Sequence, residues 1–253
     1  MQEWATVFLI GLVVFSTFTV EGIAGFGATV MALPFVIMLI GLDKAVPLLS
    51  TLGLVLSMFL ISRSWRNLVG KEYFFIALHV GAGVPVGLLI SDFLPKKILI
   101  AILVFFTFFV GIRGLMQLMR QNAESMKIKP AKKNFLSRII LFIGGIFQGA
   151  FSSGGPIVVM YATKALPEKS KFRATLPALW LTTNTIMEIK WIISGNVWNM
   201  QLARQFFLIL PFIACGMVLG DYLHHKVNQK KFTFFVYSLL IVVGIILGSV
   251  NFL

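Results

Sequence analysis

The sequence predicts an all-α polytopic membrane protein, and three observations support this fold class. Hydrophobic residues make up 58% of the 253 positions and charged residues only 12%, about half the charged fraction of a typical soluble domain. The hydrophobic residues form long runs separated by short basic segments, as is typical of membrane-spanning helices and their loops. A glycine-rich interruption of the first run recurs 127 residues later, which indicates a duplicated architecture.

Each half of the chain is predicted to contain a broken, re-entrant-like helical hairpin followed by three transmembrane helices. In the first half an apolar run over 4–20 leads into a break at 21–29, and the arm that follows, 29–42, has only 14 residues. Because a full span needs about 20 apolar residues, this arm is too short to cross a bilayer. The other predicted segments are 45–62, 73–91 and 98–119 in the first half, and 135–151, 157–166, 174–194, 205–223 and 232–252 in the second.

Residue matches between the halves support a first repeat over 1–119, a linker over 120–134 and a second repeat over 135–253. An offset of 127 pairs Gly22 with Gly149, Gly27 with Gly154 and Ser57 with Asn184, and an offset of 133 pairs Gly83 with Gly216, Gly87 with Gly220 and Gly111 with Gly244. Glycine is common in membrane helices, so one match means little, but three in one register favour a repeat.

The distribution of basic residues predicts the orientation of the chain. If both breaks form hairpins, the loops on one side hold 17 of the 22 Lys and Arg residues, whereas a single crossing by each broken segment gives a split of 12 to 10. Cytoplasmic loops carry the excess of basic residues. We therefore expect hairpins, inverted repeats, a cytoplasmic linker at 120–134 and both termini outside the cell membrane. The predicted cytoplasmic loops are 63–72, 113–138, 164–173 and 222–231.

The second break, from Gln148 to Pro156, predicts an anion site. A non-helical stretch inside a membrane survives only where it lines a cavity, because its backbone groups need partners. Pro156 suits the first position of a new helix, whose positive end would direct the N–H groups of 152–155 at an anion. A simple turn between two short helices is the alternative, and the recurrence of the motif at 21–29 favours the site.

The two hairpins would enter from opposite sides, so we expect both breaks to meet near the midplane around one substrate. Neither break contains Lys or Arg, so hydroxyl, amide and backbone N–H groups must bind the anion. Asn184 and its repeat partner Ser57 follow a break at the same spacing; they line the cavity or, alternatively, join helices. The predicted substrate-binding residues are Gly25, Phe26, Gly27, Thr29, Ser57, Gln148, Ser152, Ser153, Gly154, Gly155 and Asn184.

Glu21 is the predicted proton-coupling residue. An ionisable side chain inside a membrane usually has a function, and its counterpart in the second half is the neutral Gln148. Burial and a neighbouring anion would both favour the protonated carboxyl, so a proton and an anion would bind together. The alternative is a Glu21 that only lies at a wet interface. Glu188 and Lys190, near the outer end of their segment, are expected to reach out to the membrane surface.

These residues together resemble the sulfite exporter TauE/SafE family, also called the 4-toluene sulfonate uptake permease family. The resemblance covers essentially the whole chain and is clearest over 148–161, with Phe172-Arg173-Ala174-Thr175 and Asn184 downstream. It implies a secondary membrane transporter, a permease or exporter, for a small sulfur-containing oxyanion such as sulfite or an organosulfonate. The first break, Gly25-Phe26-Gly27-Ala28, departs from the common pattern because it has neither a Gly-Gly pair nor a proline.

Two other functions stay open from the sequence, namely a passive anion channel, which needs no titrating group, and a transporter of another small anion such as a carboxylate. An intramembrane enzyme is disfavoured because no hydrolase, P-loop or zinc motif is present. We expect no catalytic residue, cofactor, metal or nucleic-acid partner. The expected partners are a small anionic substrate and the lipid bilayer, with a homodimer, the coupling ion and the direction of transport left open.

Overall fold

The computed structural model describes residues 2–24, 26–120, 133–195 and 198–223, together with isolated helical residues between 234 and 249. Most of the predicted linker, 121–132, and most of the last predicted segment, 232–252, lie outside the described residues. Within the described residues the chain is all helical, as predicted. The helices are α1 (Gln2–Ala24), α2 (Ala28–Ile40), α3 (Leu42–Ser64), α4 (Gly70–Phe93), α5 (Lys96–Arg120), α6 (Phe135–Phe151), α7 (Gly155–Ala165), α8 (Lys169–Ser194) and α9 (Met200–Leu223).

The lengths of the helices separate full spans from short arms. In the described part of the chain, five helices are long and apolar enough to cross a membrane, namely α1, α3, α4, α5 and α9. By contrast, α2 has 13 residues and α7 has 11, so at ~1.5 Å per residue they extend about 20 Å and about 17 Å. Both are shorter than the ~30 Å hydrocarbon core. The protein is therefore a polytopic membrane protein whose short arms follow the two breaks.

The first break is shorter than the sequence predicts, because α1 continues through Glu21 and ends only at Ala24. The carboxylate of Glu21 has a partner within the protein, so it does not need to end the helix to reach water. The chain becomes helical again at Ala28, after Gly27, whose φ of 106° lies in the left-handed region that glycine tolerates best. Glu21 is thus a helical residue beside the break rather than part of it.

Three pairs of helices form the body of the protein: α1 packs along α9, α4 along α6, and α3 against α8. Glycines allow the first two pairs to approach closely. A Cβ atom at Gly216 would lie 2.7 Å from the carbonyl oxygen of Phe15, and one at Gly83 would collide with the carbonyl oxygen of Phe142. In addition, α1 packs on α2 and α6 on α7, so the two arms of each broken segment lie side by side.

Ion pairs mark the two ends of this helix bundle. At one end Asp221 of α9 accepts hydrogen bonds from Arg63 of α3 at 3.1 Å and from Arg173 of α8 at 2.6 Å. At the other end Lys190 of α8 donates to Asp92 of α4 at 2.7 Å. A single crossing by each broken segment would put Arg63 and Arg173 at opposite ends. The contacts therefore disagree with that alternative and agree with two hairpins.

Candidate functional site

One cavity lies between the two breaks, where α1, α2 and α3 meet α6, α7 and α8. The empty space between its lining atoms is about 350 Å³, part of which is open to solvent. The two breaks therefore meet around one cavity, as the sequence predicts. The lining residues are Glu21, Gly27, Thr29, Val30, Gly53, Gln148, Ser152, Ser153, Gly155, Trp180 and Asn184.

A side chain from the preceding helix bridges the first break. The carboxylate Oε2 of Glu21 accepts a hydrogen bond of 2.7 Å from the backbone N–H of Ala28, the first residue of α2. This bond satisfies an N–H that a helix start leaves free, and it puts a carboxylate at the positive end of α2. Glu21 is 7% exposed. Among the described residues, no Lys, Arg or His nitrogen lies within 4.0 Å of its carboxylate.

The second break is bridged in the same way, but by an amide. Oε1 of Gln148 accepts a hydrogen bond of 3.0 Å from the backbone N–H of Gly154, directly before α7. Its Nε2 donates a hydrogen bond of 2.8 Å to Oδ1 of Asn184 on α8. Gln148 therefore joins three elements of the second half and is buried beside the cavity.

The direction of these hydrogen bonds follows from the backbone. The N–H of Gly154 can only donate, so Gln148 presents its oxygen to it and its NH2 group to Asn184. Asn184 accepts through Oδ1, which turns its own NH2 group toward Gly53 of α3. A Cβ atom at Gly53 would lie 3.2 Å from Nδ2 of Asn184, closer than side chains normally approach. The missing side chain at Gly53 thus leaves room for an oriented amide donor in the cavity wall.

Ser152 gives the cavity a second donor. It ends α6 with a φ of 53°, the positive value that residues other than glycine rarely adopt. Ser152 is 5% exposed, and its Oγ is buried without a hydrogen-bond partner among the described residues. A buried hydroxyl without a partner is costly. This strained serine therefore lines the cavity beside the start of α7 with a hydroxyl group that is free to form a hydrogen bond.

The predicted site residues divide into two groups. Glu21, Gly27, Thr29, Gln148, Ser152, Ser153, Gly155 and Asn184 line the cavity. Three others lie outside the lining: Phe26 packs edge-on against Phe172 with ring centres 6.1 Å apart, Ser57 is buried within α3, and Gly154 is packed tightly against α6. Gly25 lies outside the described residues.

The sequence interpretation missed three lining residues, namely Val30, Gly53 and Trp180. A signal existed for two of them. Trp180 lies four residues before Asn184, and Gly53 lies four residues before Ser57, so in each case the two residues share one helix face. In α3 the sequence predicts the correct face of the helix through Ser57, but the residue that lines the cavity is Gly53, one turn nearer the start of the helix. Val30 has no such signal, since it is one apolar residue among many.

The expectation for Glu188 was wrong. Instead of reaching out to the membrane surface, its carboxyl group is buried and lies in hydrogen-bond contact with the hydroxyl of Thr51 of α3 and the indole N–H of Trp198. These neutral groups give the carboxyl group its polar partners inside the protein. Lys190, two residues later, is only half-buried and donates to Asp92 at the end of the bundle, so only the lysine behaves as expected.

A protein-family model described as "Sulfite exporter TauE/SafE" matches residues 8–247 of the chain. This range includes both breaks and every residue that lines the cavity. No curated protein and no solved structure matches the chain significantly.

Proposed function

Since the chain belongs to the sulfite exporter TauE/SafE family, we propose that it is a secondary transporter of a small sulfur-containing oxyanion, such as sulfite or an organosulfonate. The family match and the apolar helices make it a multi-pass membrane protein of a transporter family. In our proposal the anion binds in the cavity between the two breaks. Neutral hydrogen-bond donors hold it, and no lysine or arginine takes part.

The donor set of the cavity is the observation that carries this proposal. The NH2 group of Asn184 and the unpartnered hydroxyl of Ser152 lie in one lining, beside the positive end of α7. A sulfite or sulfonate group has several acceptor oxygens, so it can use these donors together and remove the cost of the buried hydroxyl. A helix end contributes about 0.3–1 kcal/mol toward an anion. The resulting moderate affinity suits a carrier, which must also release its substrate.

The comparison of Glu21 with Gln148 supports a proposal of proton coupling. Each accepts a backbone N–H across its break, and each has a second polar atom. In Gln148 that atom is always a donor. In ionised Glu21 it is an acceptor that repels an anion, and in protonated Glu21 it becomes an O–H donor. We infer that a proton on Glu21 gives the first break the same acceptor and donor atoms as the second, so that proton and anion bind together.

The packing supports the inverted repeats that this mechanism uses. Phe15 and Phe142 are equivalent at the offset of 127, and Gly216 and Gly83 at the offset of 133; the equivalent pairs form equivalent contacts. The α1–α9 crossing therefore repeats this close contact of the α4–α6 crossing. We propose that the repeats are inverted in the membrane and that the end with Arg63 and its ion pairs is cytoplasmic, because basic loops prefer that side.

Cysteine labelling in intact cells tests this orientation. After Cys215, an exposed residue, has been replaced by Ala, single cysteines are placed at positions 2, 127 and 253. A membrane-impermeant thiol reagent should label positions 2 and 253 from outside and leave 127 unlabelled until the cells are opened. Labelling of position 127 in intact cells would contradict the orientation.

Binding by the purified protein tests the substrate class. Thermal shifts are measured with sulfite, 4-toluenesulfonate, sulfate and small carboxylates, for the wild type and for Asn184→Leu as a variant without the amide donor. We expect the wild type to be stabilised most by sulfite or the sulfonate, and Asn184→Leu to show no shift. A larger shift with carboxylates would show that the substrate is a carboxylate. Equal shifts in the wild type and in Asn184→Leu would show that the anion does not bind in this cavity.

Transport in liposomes separates a carrier from a channel. A proton-coupled carrier accumulates sulfite against its gradient when a pH gradient is imposed, whereas a passive channel only equilibrates it. We expect accumulation that ends when a protonophore collapses the pH gradient. Equilibration alone, with no effect of the pH gradient, would favour the channel.

A further inference from the structure

Glu188 forms a second buried carboxylate site that the cavity does not include. It lies four residues beyond Asn184 on α8, about 6 Å along the helix axis, toward the end of that helix. The residue is 9% exposed. One carboxylate oxygen lies 2.5 Å from the hydroxyl of Thr51, and the other accepts a hydrogen bond of 3.1 Å from the indole N–H of Trp198.

A count of hydrogens favours a proton on this carboxyl group. The hydroxyl of Thr51 lies 2.9 Å from the carbonyl oxygen of Pro47 as well as 2.5 Å from Glu188, and a hydroxyl has one hydrogen. If Glu188 is ionised, both neighbours only accept, and one contact lacks a hydrogen. If Glu188 carries a proton, it donates to Thr51, and Thr51 donates to Pro47. Every contact is then satisfied, and Trp198 still donates to the other oxygen.

In the part of the chain that the structure describes, no positive charge compensates an ionised Glu188. Among the described residues, no Lys, Arg or His nitrogen lies within 4.0 Å of its carboxylate. The charged groups toward this end, on the helices around α8, have other contacts: Asp43 with Lys96, Lys44 with Gln201, Asp92 with Lys190, and Arg204 over the Trp4 ring. A buried carboxylate without a cation is unfavourable, so these surroundings also favour a proton on Glu188.

We propose that Glu188 is a second proton-binding site of the transporter, which exchanges its own proton with solvent at the Lys190 end of the bundle. The proposal rests on the proton-coupled transport proposed above. On release, the proton leaves the carboxyl group for water at this end. The hydroxyl hydrogen of Thr51 then turns from Pro47 to the carboxylate, and it turns back when a new proton binds.

The test uses the full-length protein in liposomes that contain a pH-sensitive dye. A sulfite gradient drives net uptake, which the dye reports as proton movement, while exchange of labelled for unlabelled sulfite requires no net proton release. In Glu188→Gln the amide can donate to Thr51 and accept from Trp198, so it imitates the protonated carboxyl group. We expect net proton-coupled uptake to fall at least about tenfold, exchange to stay within about twofold, and the melting temperature to stay unchanged.

Two further variants make the result decisive. Glu168→Gln removes an exposed carboxylate that pairs with Lys171, and it should behave like the wild type. Thr51→Val removes the hydroxyl that accepts from the protonated carboxyl group and can donate to the ionised one. The pH of half-maximal uptake should therefore shift by about one unit.

Several outcomes would overturn the proposal. If the wild type couples sulfite to protons and Glu188→Gln does so equally, Glu188 is not a proton site, although the proposed function stands. If Glu188→Gln loses exchange together with net uptake, the residue has a structural role. Should that variant not fold, an unchanged pH profile in Thr51→Val overturns the proposal. If the wild type does not couple sulfite to protons, the proposed function fails as well.

Discussion

The two helix breaks share one design and differ by one functional group. In each, the residue at the same repeat position, Glu21 or Gln148, reaches across the break and accepts the N–H at the start of the short arm. The amide of Gln148 also donates to Asn184, which fixes the second break in one state. The carboxyl group of Glu21 can donate only after it binds a proton. In the proposed mechanism the second break is therefore a permanent donor site, and the first becomes a donor site only when Glu21 binds a proton.

Exchange of the amide for a carboxylate at the second break should have the largest effect. In Gln148→Glu the cavity has two carboxylates, and the oxygen that faces Oδ1 of Asn184 can no longer donate. We expect anion binding at neutral pH to weaken by about 2–4 kcal/mol, roughly 30- to 1,000-fold, with recovery at acidic pH. Isothermal titration with sulfite measures it. The matched control is Gln201→Glu, which changes an exposed glutamine at the start of α9, outside the cavity. Equal losses of affinity in both variants would show that the loss does not arise in the cavity.

The converse change, Glu21→Gln, should remove the dependence of anion binding on a proton and keep the binding site itself. The variant keeps the acceptor for Ala28 and gains a permanent donor, so binding should be as tight at neutral pH as wild-type binding at acidic pH. Net uptake driven by a pH gradient should be lost, while sulfite exchange persists. Binding is measured in solution and uptake in liposomes, each across a pH series. A variant whose uptake depends on the pH gradient as in the wild type would show that Glu21 does not couple protons.

A smaller effect is expected where the oriented amide of Asn184 meets α3. In Gly53→Ala the new methyl group would lie 3.2 Å from Nδ2 of Asn184, so the amide must move by a few tenths of an ångström. We expect about a threefold to tenfold loss of sulfite affinity, about 1 kcal/mol. Gly81→Ala is the control, because nothing lies within 4 Å of a Cβ atom at that helical glycine. If Gly81→Ala weakens binding as much, helix stability and not the amide is responsible.

A comparable effect on binding separates the strain at Ser152 from its hydroxyl group. Ser152→Ala and Ser152→Gly both remove the donor, and we expect each to weaken sulfite binding by about 1 kcal/mol. Only glycine is at ease at a φ of 53°, so Ser152→Gly should be about 1 kcal/mol more stable than Ser152→Ala. Melting curves without ligand give the stability difference. Full affinity in Ser152→Gly would mean that the hydroxyl group does not contact the anion.

Much of the helical layout was readable from the sequence, because apolar runs of membrane length leave few alternatives to helices. The breaks were also readable, since glycines and Pro156 interrupt those runs. The end of α1 could not be predicted from the sequence. Glu21 stays helical because its carboxylate accepts a hydrogen bond from an N–H seven residues later, and this contact depends on the direction in which α2 leaves the break.

The cavity wall was harder to predict than the breaks. The bond between Gln148 and Asn184 joins residues 36 positions apart, and the contact between Thr51 and Glu188 joins residues 137 positions apart. Such contacts depend on how helices rotate about their axes, which apolar composition leaves undetermined when every face is apolar. Gly53 was missed for this reason, since only the position of Asn184 across the interface shows why a glycine is needed there.

The tight crossings have a consequence for movement. Because α1 cannot separate easily from α9, nor α4 from α6, each pair should move as one rigid body. The first body carries Glu21, and the second carries Gln148, so the two walls of the cavity belong to different moving parts. We expect the transport cycle to be a rocking of these bodies about the α3–α8 contact. A disulfide within one body should leave transport intact, whereas one between the bodies should stop it, and the reverse result would exclude this motion.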